Sequence, residues 1–287
     1  MLSVALPSAL FAGGVAIGVT VAIERWGGRI GGVLGTLPST IIPAAIGIYL
    51  SNEDPLVFQH AMDATPLGML VNGIFLWSWR SWPHRLPPRS MPQRLAIMVL
   101  LTMATWLLCA LGVVSLSARW IDSGFDSLWL GLTGVIILGG LGLGASLHAR
   151  PSPRGKRSVG TLALLSRGLF AATAIGLAVW LSKTAGGLTA GVVSVFPAIF
   201  LTTMVSIWIS QGEDVQLGAI GPMILGSSSV AAFALAARWT LPAYGPTTGT
   251  LLAWVLAVAL ASFPAWKWLQ WRQTKTALHP LRQDGNP

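Results

Sequence analysis

Residues 27–54 read GGRIGGVLGTLPSTIIPAAIGIYLSNED, and residues 186–213 read GGLTAGVVSVFPAIFLTTMVSIWISQGE. The two stretches align without a gap at a separation of 159 residues (186 against 27), with Gly27/Gly186, Gly28/Gly187, Gly32/Gly191, Val33/Val192, Pro38/Pro197, Ile48/Ile207 and Ser51/Ser210 shared. The same separation pairs Leu10-Phe11-Ala12 with Leu169-Phe170-Ala171. After a three-residue gap, Pro66 pairs with Pro222 and Asn72 with Ser228. Glycine and apolar residues are common in any membrane helix, but here the Gly-Gly, Gly and Pro registers recur together. Such self-similarity is the mark of a duplicated unit.

The composition identifies the medium in which these units fold. Of the 287 residues 53% are hydrophobic and only 9% are charged, too few to coat a soluble surface. Mean hydropathy is +0.69. A helix needs about 20 apolar residues to cross a bilayer. That ruler predicts nine spans, at 3–23, 30–50, 57–79, 93–116, 125–147, 159–182, 187–210, 215–237 and 248–267. The runs are apolar all round rather than alternating, so they are helices and not barrel strands. The first is retained as a span and not a cleaved leader, because no basic residue precedes it.

Five spans separate the start of one copy from the start of the other, and an odd number of crossings turns the second copy over. The sequence therefore predicts an all-α polytopic helix bundle with an inverted 4+1+4 repeat. Residues 1–116 form the first repeat, 117–158 the linking span and a loop, 159–271 the second repeat, and 272–287 a polar tail. Fourteen of the 18 basic residues, among them Arg80, Arg85, Arg89, Arg154, Lys156 and Lys275, fall on one side. Arg119, Lys183 and Arg238 fall on the other, and Arg167 lies within a span. The positive-inside rule puts the fourteen in the cytoplasm, with the N-terminus outside and the C-terminus inside. The net charge of +9 then reports topology and not nucleic-acid binding, since no basic run is interleaved with stacking aromatics. The expected location is a prokaryotic cytoplasmic (inner) membrane.

In size and layout this plan resembles the drug/metabolite type of secondary transporter, which has ten spans. The present chain lacks a C-terminal counterpart of span 5. The resemblance covers architecture alone and carries over no residue. What it implies is alternating access between two inverted halves, with a site at their interface.

The candidate site follows from the residues themselves. Pro38 and Pro197 interrupt the second span of each copy, and a proline inside a helix frees carbonyls that must find partners in protein, water or substrate. Thr36, Ser39 and Thr40 stand beside the first break, and Ser194, Thr202 and Thr203 beside the second. Asn72 and Ser228 occupy matching places in the following spans. Asp63 and Arg167 are the two charges within spans, each costly enough to mark a functional candidate. Arg167 is assigned to substrate charge and Asp63 to a coupling proton or cation, with mutual pairing of the two as the alternative. Trp106 falls mid-span and is read as a packing or lipid-facing residue.

No metal-ligand spacing, P-loop or hydrolase motif is present in the sequence. We therefore expect no enzyme, no metal and no cofactor. The expected partners are a small polar or anionic solute and membrane lipid, with a homodimer left open. Two other readings are a lipid scramblase or lipid-carrier flippase, and a non-transporting membrane assembly subunit.

Overall fold

The computed structural model describes residues 4–18, 21, 37–147, 160–211 and 216–278. Among them every regular element is a helix. The elements are α1 (Val4–Gly18), α2 (Ile42–Ser51), α3 (Pro55–Ser81), α4 (Met91–Asp122), α5 (Leu128–Leu147), α6 (Thr161–Thr184), α7 (Gly186–Ser194), α8 (Ala198–Gln211), α9 (Gln216–Ala257) and α10 (Phe263–Leu278). A short 3-10 turn, Pro83–Arg85, follows α3, and a π-helical turn, Val258–Ser262, joins α9 to α10. Among the described residues five helical segments are long and apolar enough to cross a membrane: Met91–Asp122, Leu128–Leu147, Leu164–Thr184, Gly186–Ile209 and Ile220–Arg272. Leu100, Leu108, Leu111, Ile136, Leu162 and Leu169 lie exposed on such helices, the arrangement expected where the outer solvent is hydrocarbon.

Helix α3 is the axis of the bundle, packing against α4, α5, α7 and α9. Its start is set by Asp54, whose carboxylate accepts the Leu56 N–H at 2.9 Å, with Pro55 in the first turn where no N–H is missed. Lipid supplies no hydrophobic drive between helices, so close approach depends on small residues. Helix α5 presents Gly131 and Gly134 to the α3 backbone at Asp63 and Pro66, and Gly142 to α9 at Leu225. Helix α7 presents Gly187 and Gly191, one turn apart, to Val57 and Ala61 of α3, and a Cβ on Gly191 would fall on the Ala61 carbonyl oxygen. Neither α7 glycine leaves room for a side chain.

One feature departs from the sequence reading. Residues 238–247 fall between spans 8 and 9 in that reading. Helix instead continues to Gly245, whose φ of 78° and ψ of 172° reverse the chain at one residue. Thr240 Oγ1 donates to the Gly249 carbonyl at 2.7 Å, whereas nine residues of straight helix would separate these positions by about 13 Å. The two arms of α9 therefore fold back as an antiparallel hairpin. Glycine accepts the positive φ without steric cost, and Pro246 opens the second arm where its missing N–H is not needed. At span 7, where the sequence places Pro197, the helix is broken into α7 and α8 by Val195, Phe196 and Pro197. The stretch 37–41 before α2, which holds Pro38, is likewise non-helical.

Helices α1 and α6 cross where Gly13 meets Gly168 and Ala172. Gly47 of α2 sits against Ser8 of α1 and Val179 of α6.

Candidate functional site

Three polar groups lie within the bundle. The first is the break at Val195. A helix that ends inside a bilayer strands carbonyls, and each must be satisfied within the protein. Here Asn72 of α3 donates from Nδ2 to the Val195 carbonyl at 2.6 Å. The amide is itself held in place, because Trp106 of α4 donates its indole N–H to Asn72 Oδ1 at 2.8 Å. The Trp106 ring also meets Phe196 edge-on, with centroids 5.2 Å apart. One chain of contacts thus ties α4, α3 and the interrupted span together. Ser194 donates to Gly191 O at 2.7 Å and closes the last turn of α7. Pro38 and Pro197 are both buried.

The second group is Arg167 on α6, which is 7% exposed. Its Nε donates to Thr202 Oγ1 at 3.1 Å and its Nη2 to Thr203 Oγ1 at 3.0 Å, both one turn into α8. Thr202 in turn donates to the Ala198 carbonyl at 2.8 Å, so its oxygen is free to accept from the guanidinium. The fork is thereby aimed at the start of the half-helix that follows Pro197.

The third group is centred on Asp63, fully buried on α3. Its partner is not Arg167 but Arg238 on the first arm of α9, with Nε 3.0 Å from Oδ2. Ser127, at the start of α5, donates to the same oxygen at 2.6 Å. Arg238 also reaches Asp126 Oδ1 at 3.2 Å, and its guanidinium lies 4.7 Å over the Trp239 ring. Asp126 is exposed and caps α5, accepting the Leu128 N–H at 2.8 Å. The cluster holds two carboxylates to one guanidinium. Asp63 Oδ1 and Arg238 Nη1 find no hydrogen-bond partner in the described structure.

Comparison with protein-family models, with curated proteins and with solved structures finds no match.

Of the residues singled out in the sequence, the fold unites Arg167 with Thr202 and Thr203, and sets Asn72 against the break that holds Ser194 and Pro197. Ser39 and Thr40 stand in the non-helical stretch before α2, where the Ser39 N–H donates to Leu37 O at 2.9 Å. Thr36 lies outside the described residues. Ser228 donates to Leu225 O at 2.6 Å on α9 and borders an apolar groove, away from the break. Among the described residues no group of three or more His, Cys, Asp or Glu side chains could hold a metal ion.

The sequence reading missed Arg238, Asp126, Ser127 and Trp106. By the span bounds 215–237 and 248–267, Arg238 falls just outside a span. The helix in fact runs on past Arg238, which places it within α9 beside Asp63. For Trp106 the signal was the indole N–H, a donor that needs a partner in mid-membrane.

Proposed function

We propose that the chain is a secondary-active transporter that moves a small polar or anionic solute by alternating access. Two inverted repeats of four spans, joined by a fifth, form its frame, in the manner of the drug/metabolite type. The observation that carries this reading is the interruption of span 7 at Val195–Pro197, with Pro38, 159 positions before Pro197, also standing in non-helical backbone. A helix interrupted within the membrane is a usual pointer to a midplane site.

Contacts between the halves support the same frame. Gly13 and Ala172 occupy equivalent positions at that separation and touch each other. Residues at equivalent positions meet only near the axis that relates two copies. Ser8 and Arg167 are also equivalents. Ser8 meets Gly47 of α2, while Arg167 meets Thr202 and Thr203 of α8, within a turn of the position matching Gly47. The halves thus share a register but differ in charge at this place, as suits an asymmetric, anionic cargo held by a guanidinium fork. Asp63 carries the coupling proton or cation, and on loading it Asp63 releases Arg238 to Asp126. The lateral groove bordered by Ser228 is apolar and offers no passage for a headgroup, which disfavours the scramblase reading.

A test of the substrate role uses purified protein in proteoliposomes, with uptake of radiolabelled phosphate and small mono- and dicarboxylates. Arg167→Lys keeps the charge but loses the planar fork. It is expected to raise KM about ten-fold or more, a loss near 1.4 kcal/mol of binding, with melting unchanged. Saturable uptake with wild-type KM in this variant would remove Arg167 from the site. Absence of uptake for every anion in the wild type would overturn the anionic cargo.

Orientation has its own test. Pairing of Arg238 with Asp63 and Asp126 leaves Arg119 and Lys183 as the cations on the outer side, which sharpens the asymmetry. In a Cys109→Ser background, cysteines at the exposed positions Glu53 and Thr247 are expected to react with an impermeant maleimide on intact cells. One at exposed Ser90 should react only after permeabilisation. Labelling of Ser90→Cys on sealed cells would invert the topology.

A further inference from the structure

Two carboxylates and one guanidinium meet around Asp63, so one negative charge in the cluster has no counterpart. Asp126, its side chain 58% exposed, draws on solvent. Asp63 is sealed, and a lone charge is costly at that place. A single monovalent cation settles the balance, and Asp63 needs it whenever Arg238 turns to Asp126. The first arm of α9 brings Arg238 to Asp63 and the start of α5 brings Asp126, while His60 stands one turn earlier on α3 itself. Helix α7 has no titratable side chain, and Tyr49 of α2 lies edge-on to Phe58. Among the described residues Asp63 pairs with no charged side chain of α4 or α6.

A metal cation and a proton make different demands on such a place. A hard cation needs a shell of oxygens. Arg238 Nε stands 3.0 Å from Oδ2, where its positive charge repels such an ion, and Ser127 turns its hydroxyl proton to the same oxygen at 2.6 Å. On the α5 side a Cβ on Gly131 would already come within 3.1 Å of the Asp63 carbonyl oxygen. The two backbones leave no room between them for an ion with its shell. A proton needs only one lone pair. Asp63 Oδ1 offers it, being buried and without a hydrogen-bond partner in the described structure. Ser127 and Arg238 both lie on Oδ2, so a proton on Oδ1 does not compete with them.

We propose that the ion taken up at Asp63 is a proton, bound at Oδ1 and delivered by way of Asp126 from the face at which α5 begins. The inference rests on the coupling role given to Asp63 above. In the step itself an O–H bond of hydronium, or of a protonated Asp126, breaks as the O–H bond at Asp63 Oδ1 forms, and the electron pair stays with the water or the Asp126 carboxylate. Asp63 becomes neutral, and Arg238 is left with Asp126 as its charged partner. Release of the proton runs the same exchange backwards, and Arg238 returns to Asp63.

Infrared difference spectra of the full chain in nanodiscs test this, because a protonated carboxyl has a C=O stretching band that neither a carboxylate nor a histidine gives. As pH falls from mildly alkaline to acid, wild type should gain a band that Asp63→Asn lacks. The band should be indifferent to replacement of choline chloride by sodium or potassium chloride at fixed pH. Asp126→Asn removes the surplus negative charge and should hold the proton about ten-fold more weakly. Should Asp63→Asn fail to fold by circular dichroism, Ser127→Ala keeps the carboxyl, strips its hydrogen bond and should move the same band. The proposal is overturned if folded protein shows no such band at any pH, if sodium abolishes it, or if Ser127→Ala leaves it unmoved. The spectra need no solute, which separates this inference from the transport reading. Anion uptake without the band strikes out the proton and leaves the transporter standing, whereas a titrating band in protein that takes up no solute does the reverse.

Discussion

Replacing Arg238 with alanine is expected to cost the protein about 3–5 kcal/mol, the effect of stranding one member of a buried ion pair. Asp63 has no solvent to turn to, and its neighbour Ser127 supplies only one neutral donor. The companion change distinguishes a lost pair from lost packing. In the double variant Arg238→Ala with Asp63→Ala no buried charge remains unpaired, and most of the lost stability should return. Thermal melts in a lipid nanodisc, followed by circular dichroism, measure both. The double change Arg167→Ala with Asp63→Ala should show no such recovery, because Arg167 is held by Thr202 and Thr203. Recovery there, with none for Arg238, would reassign the pair.

Asn72→Leu is the second large effect. Leucine fills a similar volume but leaves two groups without partners, the Val195 carbonyl and the Trp106 indole N–H, at about 1–3 kcal/mol each. Adding Trp106→Phe removes one of those orphans. The double variant is therefore expected to be no less stable than Asn72→Leu alone, although Trp106→Phe by itself destabilises. Melting midpoints in the same nanodiscs check this. Additive losses would show that the two residues pack independently and do not act through one hydrogen-bond chain.

The sequence made the helical class legible, together with the position of the break. Both rest on strong local signals, a run of apolar residues and a proline inside it. Span 3 was read as 57–79 and is observed as Pro55–Ser81, because Asp54 and Pro55 announce its start. Asp63 and Arg167 stood out because charge is rare in an apolar run. Their partners were less legible. A hydroxyl such as Thr202 or Ser127 carries no sequence signal of its own, and which hydroxyl meets which guanidinium depends on the rotation of helices about their axes. That rotation is set by glycine faces such as Gly131 and Gly134, whose counterparts on α3 lie more than 60 residues away in the chain. The reversal at Gly245 falls between the predicted spans 8 and 9, but helix runs past 237 up to it. Pro242 usually signals the end of a helix, yet here it is carried within one.

The glycine contact between α7 and α3 has a mechanical side. Where backbone lies on backbone, as at Gly187 and Gly191 against Val57 and Ala61, no side chain can change rotamer to absorb a sliding or rolling motion. Helices α7 and α3 are thereby geared together and turn as one piece. Beyond Pro197 the contacts are of another kind. Helix α8 touches its neighbours through side-chain ends, the hydroxyls of Thr202 and Thr203 on Arg167 and the indole of Trp208 edge-on to Trp79. Side chain against side chain can repack where backbone against backbone cannot, so the two halves of the broken span are held in different ways.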